Sequence, residues 1–586
     1  MDDEQKRLAE ELLFSEPKKP SFAKTLYFGH FDSNQVLPYP HPPLEELEKT
    51  EEFIKKVDTF ANENIDPTAI DRQSSIPNPI KQGLANLGVL GMTVPKEYNG
   101  LGMSQYAYCK TTETLARHCG STTLYMNVHQ SIGLKALMLF GSEEQKNRWL
   151  PDMARGEKIG AFSLTEQNAG SDANGVETTA VYDAERNAYI LNGRKQWTTN
   201  GSIAKVITVM AKTEVDTPQG KQKKVTAFLV NPEMHGFRVT EQALDKVGFR
   251  GTWTANLAFH DMIVPVENIL GPLGGGLKVA LTVLDYGRTT FGAMCTGVAK
   301  ECLERATQHA KTRHQFGKSL ASFGLVKKKI ATMAAMTYAM DATTYLTAGL
   351  IDKKVEDIML ESAILKVFNS EALWQIIYDT MQIYGGRSFF TDQPFERYMR
   401  DARLNMIGEG ANEVMRAFIG LVGMRDVGVQ LKNVADALKS PMKEWEQIWR
   451  FSVQTLGRLR VPNVPIQSPL LKREANSLGK ATQKFGNTIV RLLGRYREDI
   501  MDEQLILNRV ANMAMALYTA SAVISKLDSD LERVENNPDK LGNDVEIAKL
   551  YLKMAIHRVH CNLHGLKKNF DSDILQLSDD ITGVID

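Results

Sequence analysis

Two short segments of this 586-residue chain carry more hydrogen-bonding side chains than their strand-like setting needs. The first is Phe162-Ser163-Leu164-Thr165-Glu166-Gln167-Asn168-Ala169-Gly170-Ser171-Asp172, and the second is Gln196-Trp197-Thr198-Thr199-Asn200-Gly201. Hydroxyls at Thr165, Ser171 and Thr199, an amide-rich turn at Gly170 and the flat indole of Trp197 suit a planar heterocycle that carries phosphates. Hydroxyl and backbone N–H groups hold such a ligand without adding fixed charge. Taken alone, each segment favours a plainer reading as a β-hairpin with capping Ser/Thr and a core Trp.

Elements must bring these residues together, and the length bounds how. A chain of 586 residues exceeds one hydrophobic core, so two to four domains are expected. Lys+Arg and Asp+Glu are both 70, a formal net charge of zero, which argues against a general nucleic-acid binder. The five cysteines (109, 119, 295, 302 and 561) form no CxxC pair and no metal-ligand spacing, so free thiols in a reducing compartment are expected and no metal site. No run approaches eighteen consecutive apolar residues, so no spanning helix is expected. The acidic start Met1-Asp2-Asp3-Glu4 is the opposite of a transit peptide. A soluble intracellular protein follows, cytoplasmic if bacterial. The alternative is the mitochondrial matrix or inner-membrane surface after removal of a presequence.

Periodicity then divides the chain. Residues 1–45 end in Pro38-Tyr39-Pro40-His41-Pro42-Pro43 and read as an extended arm. Residues 46–158 carry helical spacing, as in Leu47, Phe53, Ile54, Val57 and Phe60. From 159 to 272 short apolar runs alternate with Gly, Asn and Pro turns, a strand-rich middle domain. Residues 273–425 read as a bundle of long amphipathic helices, 426–470 as a linker, and 471–586 as a further helical domain. The fold class expected is α+β and mostly α.

This order of helices, strands and helices, with the motif pair in the strand domain, closely resembles the acyl-CoA dehydrogenases. Two later stretches carry the resemblance further: Arg313-His314-Gln315-Phe316-Gly317-Lys318, and Gln382-Ile383-Tyr384-Gly385-Gly386 through Arg400-Asp401-Ala402-Arg403 to Ile407-Gly408-Glu409-Gly410-Ala411-Asn412-Glu413. The arm ending Gln35-Val36-Leu37-Pro38-Tyr39-Pro40, the segment His129-Gln130-Ser131-Ile132-Gly133 and the extra helices beyond about residue 440 resemble the very-long-chain branch.

The resemblance implies an FAD enzyme that removes two hydrogens from the Cα–Cβ bond of a long- or very-long-chain fatty acyl-CoA, the first step of β-oxidation. Glu409 matches the base that takes the α-proton while flavin N5 accepts the β-hydrogen. Burial beside an acyl chain would raise its pKa. Gly410 would let backbone approach the thioester. Thr165, Ser171 and Thr199 would face the pyrimidine end, the pyrophosphate and N5 of FAD. Trp197 would pack beside the ring, with Phe162, Leu164 and Gly170 giving backbone contacts. Arg313, Gln315, Phe316, Gln382, Gly385 and Gly386 would form the half-site offered by a second subunit, which implies at least a homodimer. Asp285 and Arg288 would lie at the CoA end and channel mouth, with Ser171 near it; as a plain alternative they are an (i, i+3) helix pair. Ala411 stands where the family has Thr, Glu413 at a further FAD position, and Ser388 where Gly is usual.

Leu124-Tyr125-Met126-Asn127-Val128 should floor the acyl channel. Tyr125 and Met126 shorten it if they point inward and leave it open if they pack outward. Trp445, Ile448, Trp449 and Phe451 with Arg450, Arg458 and Arg460 form an aromatic-basic cluster, read either as a peripheral membrane contact or as a helix docking on the core. Electron-transfer flavoprotein is the acceptor implied. An acyl-CoA oxidase and a respiratory-complex assembly protein on the same scaffold are the rival readings.

Overall fold

A computed structural model describes residues 20–218, 220–437 and 460–583. Its centre is a sheet of eight strands: β1 (Gly160–Ser163), β2 (Thr179–Asp183), β3 (Ala188–Thr199), β4 (Val206–Thr217), β5 (Gly220–Val230), β6 (Phe237–Glu241), β7 (Thr254–Pro265) and β8 (Ile269–Leu270). The order is β6-β7-β3-β2-β4-β5-β8, with β1 laid parallel along β4. Alternation along the strands explains the layering. Ile207, Val209 and Ala211 of β4 join Phe228 and Val230 of β5 in a core of the sheet's own. The residues between them, Val206 and Met210 with Val225, Ala227 and Leu229, turn to the opposite face and meet the helices.

Helices precede the sheet, among them Leu44–Asn64, Gln105–His118 and Glu143–Ala154. After it come Gly276–Thr312, Gly324–Asp352, Met359–Tyr384, Phe395–Asn405 and Asn412–Ala437. In Met359–Tyr384 every position from Leu360 to Ser370 is buried, because neighbours cover every side. Lys472–Tyr496 differs. Its buried Ala475, Leu478, Ala481, Phe485 and Ile489 form one stripe at helical spacing, and the charged residues lie opposite. With Gln504–Arg533, Asp544–Gly565 and Asp571–Thr582 it makes the additional C-terminal helical region.

Two sequence expectations are corrected. From residue 20 onward the arm is packed rather than extended: Phe22–Tyr27 is a helix with every residue buried, and Tyr27 Oη donates to Ile419 O at 2.6 Å. Phe22, Leu26 and Tyr27 share one apolar core with residues hundreds of positions away, which a local reading cannot supply. Second, the linker expected from 426 is helical as far as Ala437. One described helix, Gln504–Arg533, is long and apolar enough to cross a membrane by length and composition, and 89% of its most apolar stretch is buried inside the protein, as in a core helix. Trp445, Ile448, Trp449, Arg450, Phe451 and Arg458 lie outside the described residues.

Of the four buried thiols, Cys295 receives a hydrogen bond from Asn405, while Cys561 is exposed. Tyr125 and Met126 pack outward into the N-terminal helical core with Val57, Ile70 and Leu84, whereas Leu124 and Val128 join the main core.

Candidate functional site

The two hydroxyl-rich segments meet along β1 and β3. Gln196 N donates to Thr165 O at 2.8 Å, and Ser163 Oγ and Thr198 Oγ1 lie 2.7 Å apart. Beneath them Lys195 Nζ donates to Leu164 O at 3.0 Å and to Glu166 Oε1 at 2.6 Å, with both charged side chains buried. Glu166 also accepts from the backbone of Glu177 and Thr178. Burial alone would raise the Glu166 carboxyl, but the Lys195 charge and these donors outweigh it and hold it low. Burial takes the Lys195 ammonium down to about 8 against the pull of Glu166.

The β3–β7 register breaks between Lys195 and Thr198, and Trp197 sits in that break at φ 56°. A bulge adds a residue to one strand and re-aims its side chains. Trp197 therefore leaves the core that the plainer hairpin reading gave it and stands 63% exposed, with its backbone N–H donating to Asn256 Oδ1. Thr165 and Thr199 are half-buried and Gly170 and Ser171 exposed along the same edge. Asp172, beside them, is used locally: its carboxylate caps the turn at Asn174 and Gly175.

The second centre lies in the helices. Phe395–Asn405 ends, Gly408 N still donates to Leu404 O, and the chain turns through Glu409 (φ 57°) and Gly410 (φ 97°) before Asn412 opens the next helix. A non-glycine residue in this region costs about 1–3 kcal/mol and persists only where its surroundings hold it. Arg288 Nε donates to Glu409 O at 3.3 Å, and Lys366 Nζ donates to Gly410 O at 2.5 Å. The Glu409 side chain fills the space left by Gly287, where a Cβ would lie 2.4 Å from Oε2. That oxygen is buried with no hydrogen-bond partner. Burial pushes the carboxyl up to about 7, although Arg288 and Lys366 pull it down.

Asp285 and Arg288 are corrected from a channel mouth to the interior. They are 4% and 3% exposed, paired at 3.0 Å, and Asp285 also accepts from Ser362 Oγ. In this arrangement Arg288 serves the Glu409 carbonyl and cannot greet an anion arriving from solvent. Ala411 and Glu413 face a different space, a cleft of about 290 Å³ shared with Trp374, Arg403, Met406 and Ile407.

Arg313, Gln315 and Phe316 lie elsewhere, on a hairpin beyond Gly276–Thr312, where Phe316 is 91% exposed. Gln382, Gly385 and Gly386 end the neighbouring helix, and Tyr384 stacks on His309 at 4.1 Å. These six residues thus share one end of the bundle. With a rise of about 1.5 Å per residue, Arg313 lies roughly 38 Å along its helix from Arg288. No hydrogen bond, ion pair or ring contact among the described residues joins this end to Thr165 or Trp197.

Gly287, Lys366 and the Lys195–Glu166 pair escaped the sequence reading. One signal was present: Lys366 is the single charge inside Ala363-Ile364-Leu365-Lys366-Val367-Phe368.

Family models match in the same order as these layers. The acyl-CoA dehydrogenase N-terminal domain matches 47–157, the middle domain 161–262 and the C-terminal domain 274–423. The ACAD9/ACADV C-terminal domain matches 469–584. The mitochondrial very long-chain specific acyl-CoA dehydrogenase of Macaca fascicularis is 33% identical over 98% of this chain and 90% of its own length. A probable acyl-CoA dehydrogenase of Mycobacterium tuberculosis is 32% identical over 99% and 91%. The crystal structure of an acyl-CoA dehydrogenase complexed with FAD from Bacillus anthracis superposes with a TM-score of 0.79 over 94% of both chains at 26% identity. A chain whose whole length carries these matches, over the fold described, belongs to the acyl-CoA dehydrogenase family and is an FAD-dependent oxidoreductase of fatty acid β-oxidation.

Proposed function

We propose that the protein desaturates long- or very-long-chain fatty acyl-CoA between Cα and Cβ, with Glu409 as the base that removes the α-proton. The observation that carries this reading is the buried, unpartnered Glu409 Oε2, held in a left-handed turn by Arg288 and Lys366. A base must sit within hydrogen-bond reach of its proton and have a pKa near the working pH, and burial brings Glu409 to about 7. An oxygen left without a protein partner is free to take that proton. Gly410 suits the turn through its φ of 97° and the close approach of Met415, whose Cε would lie 2.7 Å from a Cβ there.

FAD, when bound, supplies the acceptor for the β-hydrogen. The residues present fit it. The hydroxyls of Thr165, Ser171 and Thr199 make no hydrogen bond as side chains among the described residues, and Trp197 offers a bare aromatic face beside them. Thr165, Ser171 and Thr199 would hold its polar groups, Trp197 its ring, and Phe162, Leu164 and Gly170 would offer backbone. Arg313, Gln315, Phe316, Gln382, Gly385 and Gly386 would grip the FAD of a second copy, as their distance from Arg288 within one chain supports. Ala411 and Glu413 would line the cofactor's far end. A homodimer follows, and an electron-transfer flavoprotein would reoxidise the enzyme.

The long-chain assignment is supported by the very-long-chain relatives, by the additional C-terminal domain and by the outward packing of Tyr125 and Met126. Anaerobic titration of the holoenzyme with saturated acyl-CoAs from short to very long tests it. Flavin bleaching should be fastest with the long members. Bleaching confined to short acyl-CoA would overturn the chain-length reading, and peroxide release in air without reduction of an electron-transfer flavoprotein would overturn the acceptor.

A further inference from the structure

Two consecutive carbonyls of the base's turn each receive a buried cation, and only one of those cations has a carboxylate of its own. Arg288, which serves Glu409 O, is paired with Asp285. Lys366, which serves Gly410 O, is 1% exposed and makes no ion pair among the described residues. A buried ammonium without a counter-ion is expensive unless it is well hydrogen-bonded or another charge stabilises it. Here its second acceptor is Asn412 Oδ1 at 2.8 Å. Asn412 Nδ2 donates onward to Ser370 Oγ and Glu371 Oε1, each at 3.1 Å, and Arg416 grips Glu371 with two bonds at 2.6 and 2.7 Å. Lys366 thus ties both ends of the Gly410–Asn412 segment to the Met359–Tyr384 helix.

The groups facing this turn can be enumerated. Arg288 and Cys295 come from Gly276–Thr312, Glu371 from the helix of Lys366 itself, and Tyr108 from Gln105–His118, close enough for Glu409 to act on its hydroxyl. Arg416 is taken up by Glu371. Burial keeps Cys295 and Tyr108 protonated through neutral pH. Arg288 and Lys366 are therefore the two cations that act on the Glu409 carboxyl.

Building on the assignment of Glu409 as base, we propose that Lys366 is a positioning residue for the reaction: it fixes the Glu409–Gly410 turn through the Gly410 carbonyl, and its charge favours the ionised, proton-accepting form of Glu409. Geometry and charge can be separated. Lys366→Arg keeps the charge, Lys366→Gln keeps a donor without charge, and Lys366→Met keeps neither.

The test is the pH profile of kcat/KM for the holoenzyme and these variants, with Glu409→Gln alongside and FAD content measured for each. Lys366→Gln should move the acid limb upward by about one pH unit, lose roughly tenfold in kcat near neutrality with KM little changed, and recover at higher pH. Lys366→Arg should restore the limb, and Lys366→Met should lose activity at every pH. A Lys366→Gln enzyme that retains FAD and keeps the wild-type limb overturns the role of Lys366 while leaving Glu409 in place. A Glu409→Gln enzyme as active as wild type overturns the base assignment itself. If Lys366→Met does not fold, the Gln and Arg variants still decide, and loss of kcat in both with no shift of the limb counts against the proposal.

Discussion

Trp197 in the sheet and Glu409 in the helices adopt nearly the same left-handed backbone, φ 56° and 57°, in opposite surroundings. Trp197 comes from a bulge, where the extra residue has no place in the ladder and its side chain swings out to solvent. Glu409 comes from a helix-to-helix turn, where the side chain swings into the protein against Gly287 and stays without a partner. The supports differ in kind as well. Behind the Trp197 segment stands a neutralised pair, Lys195 with Glu166. Behind Glu409 stand cations bonded to backbone, with the base's own carboxylate left unpaired. On the function proposed, the first region would present a rigid face to a large ligand and needs no reactive group. The other keeps a proton acceptor in poor solvation, where its basicity is greatest. Similar left-handed backbone would therefore serve grip in one place and reactivity in the other, if the proposed function holds.

Breaking the Lys195–Glu166 support should have the largest effect. Lys195→Met leaves a buried carboxylate without its charge and should cost about 3–5 kcal/mol, read by urea unfolding, together with loss of bound FAD. Lys195→Met with Glu166→Gln should recover much of it; a single variant as stable as wild type would mean that the pair holds nothing. On the other side, Gly287→Ala puts a methyl 2.4 Å from Glu409 Oε2 and must push the carboxylate aside. A misplacement of about 1 Å predicts a loss of roughly a hundredfold in kcat with FAD retained, and steady-state kinetics on the FAD-replete variant checks both halves.

Trp197→Ala should separate grip from stability. An exposed residue contributes within about 0.5 kcal/mol to folding, whereas loss of one aromatic face should weaken FAD by about 1 kcal/mol, near fivefold. Equilibrium dialysis of FAD beside a melting curve distinguishes the two, and a lowered melting point with unchanged FAD would reverse the assignment.

The remaining effect is a pH slope away from both regions. Burial raises the Asp401 carboxyl to about 7 although Phe249 N–H donates to it. The unfolded chain gives up that proton near the ordinary carboxylate value, the folded chain only near 7. Stability should therefore fall as pH rises from about 4 to about 7, and this group should add no further slope outside that window. Asp401→Asn should flatten the fall in part, since Asp285, Glu361 and Glu409 are raised in the same direction. An unchanged slope in urea midpoints across that window would show that Asp401 is not neutral in the fold.

The legible and illegible parts of this chain follow a physical line. Periodicity separated the sheet from the helices because alternation and helical spacing are local. Thr165, Ser171 and Thr199 stood out because hydroxyls and glycine are unusual between apolar runs. Glu409 came from its motif, but its partners did not: Arg288 is 121 residues away, and Gly287 matters only for what it lacks. Trp197 was read partly as core because no spacing marks a bulge. The arm was misread because Pro38 to Pro43 dominates locally, while Phe22 and Tyr27 find their partners in Ile419 and Phe485. Lys195 and Lys366 look like surface lysines until the structure supplies the carboxylate and carbonyls they satisfy.

The central claim is that Glu409 removes the α-proton. It is tested most directly by mixing FAD-replete Glu409→Gln with a long-chain acyl-CoA without oxygen and following flavin bleaching in a single turnover. A rate lower than wild type by at least about a hundredfold is expected, with acyl-CoA still binding. Bleaching at the wild-type rate would contradict it.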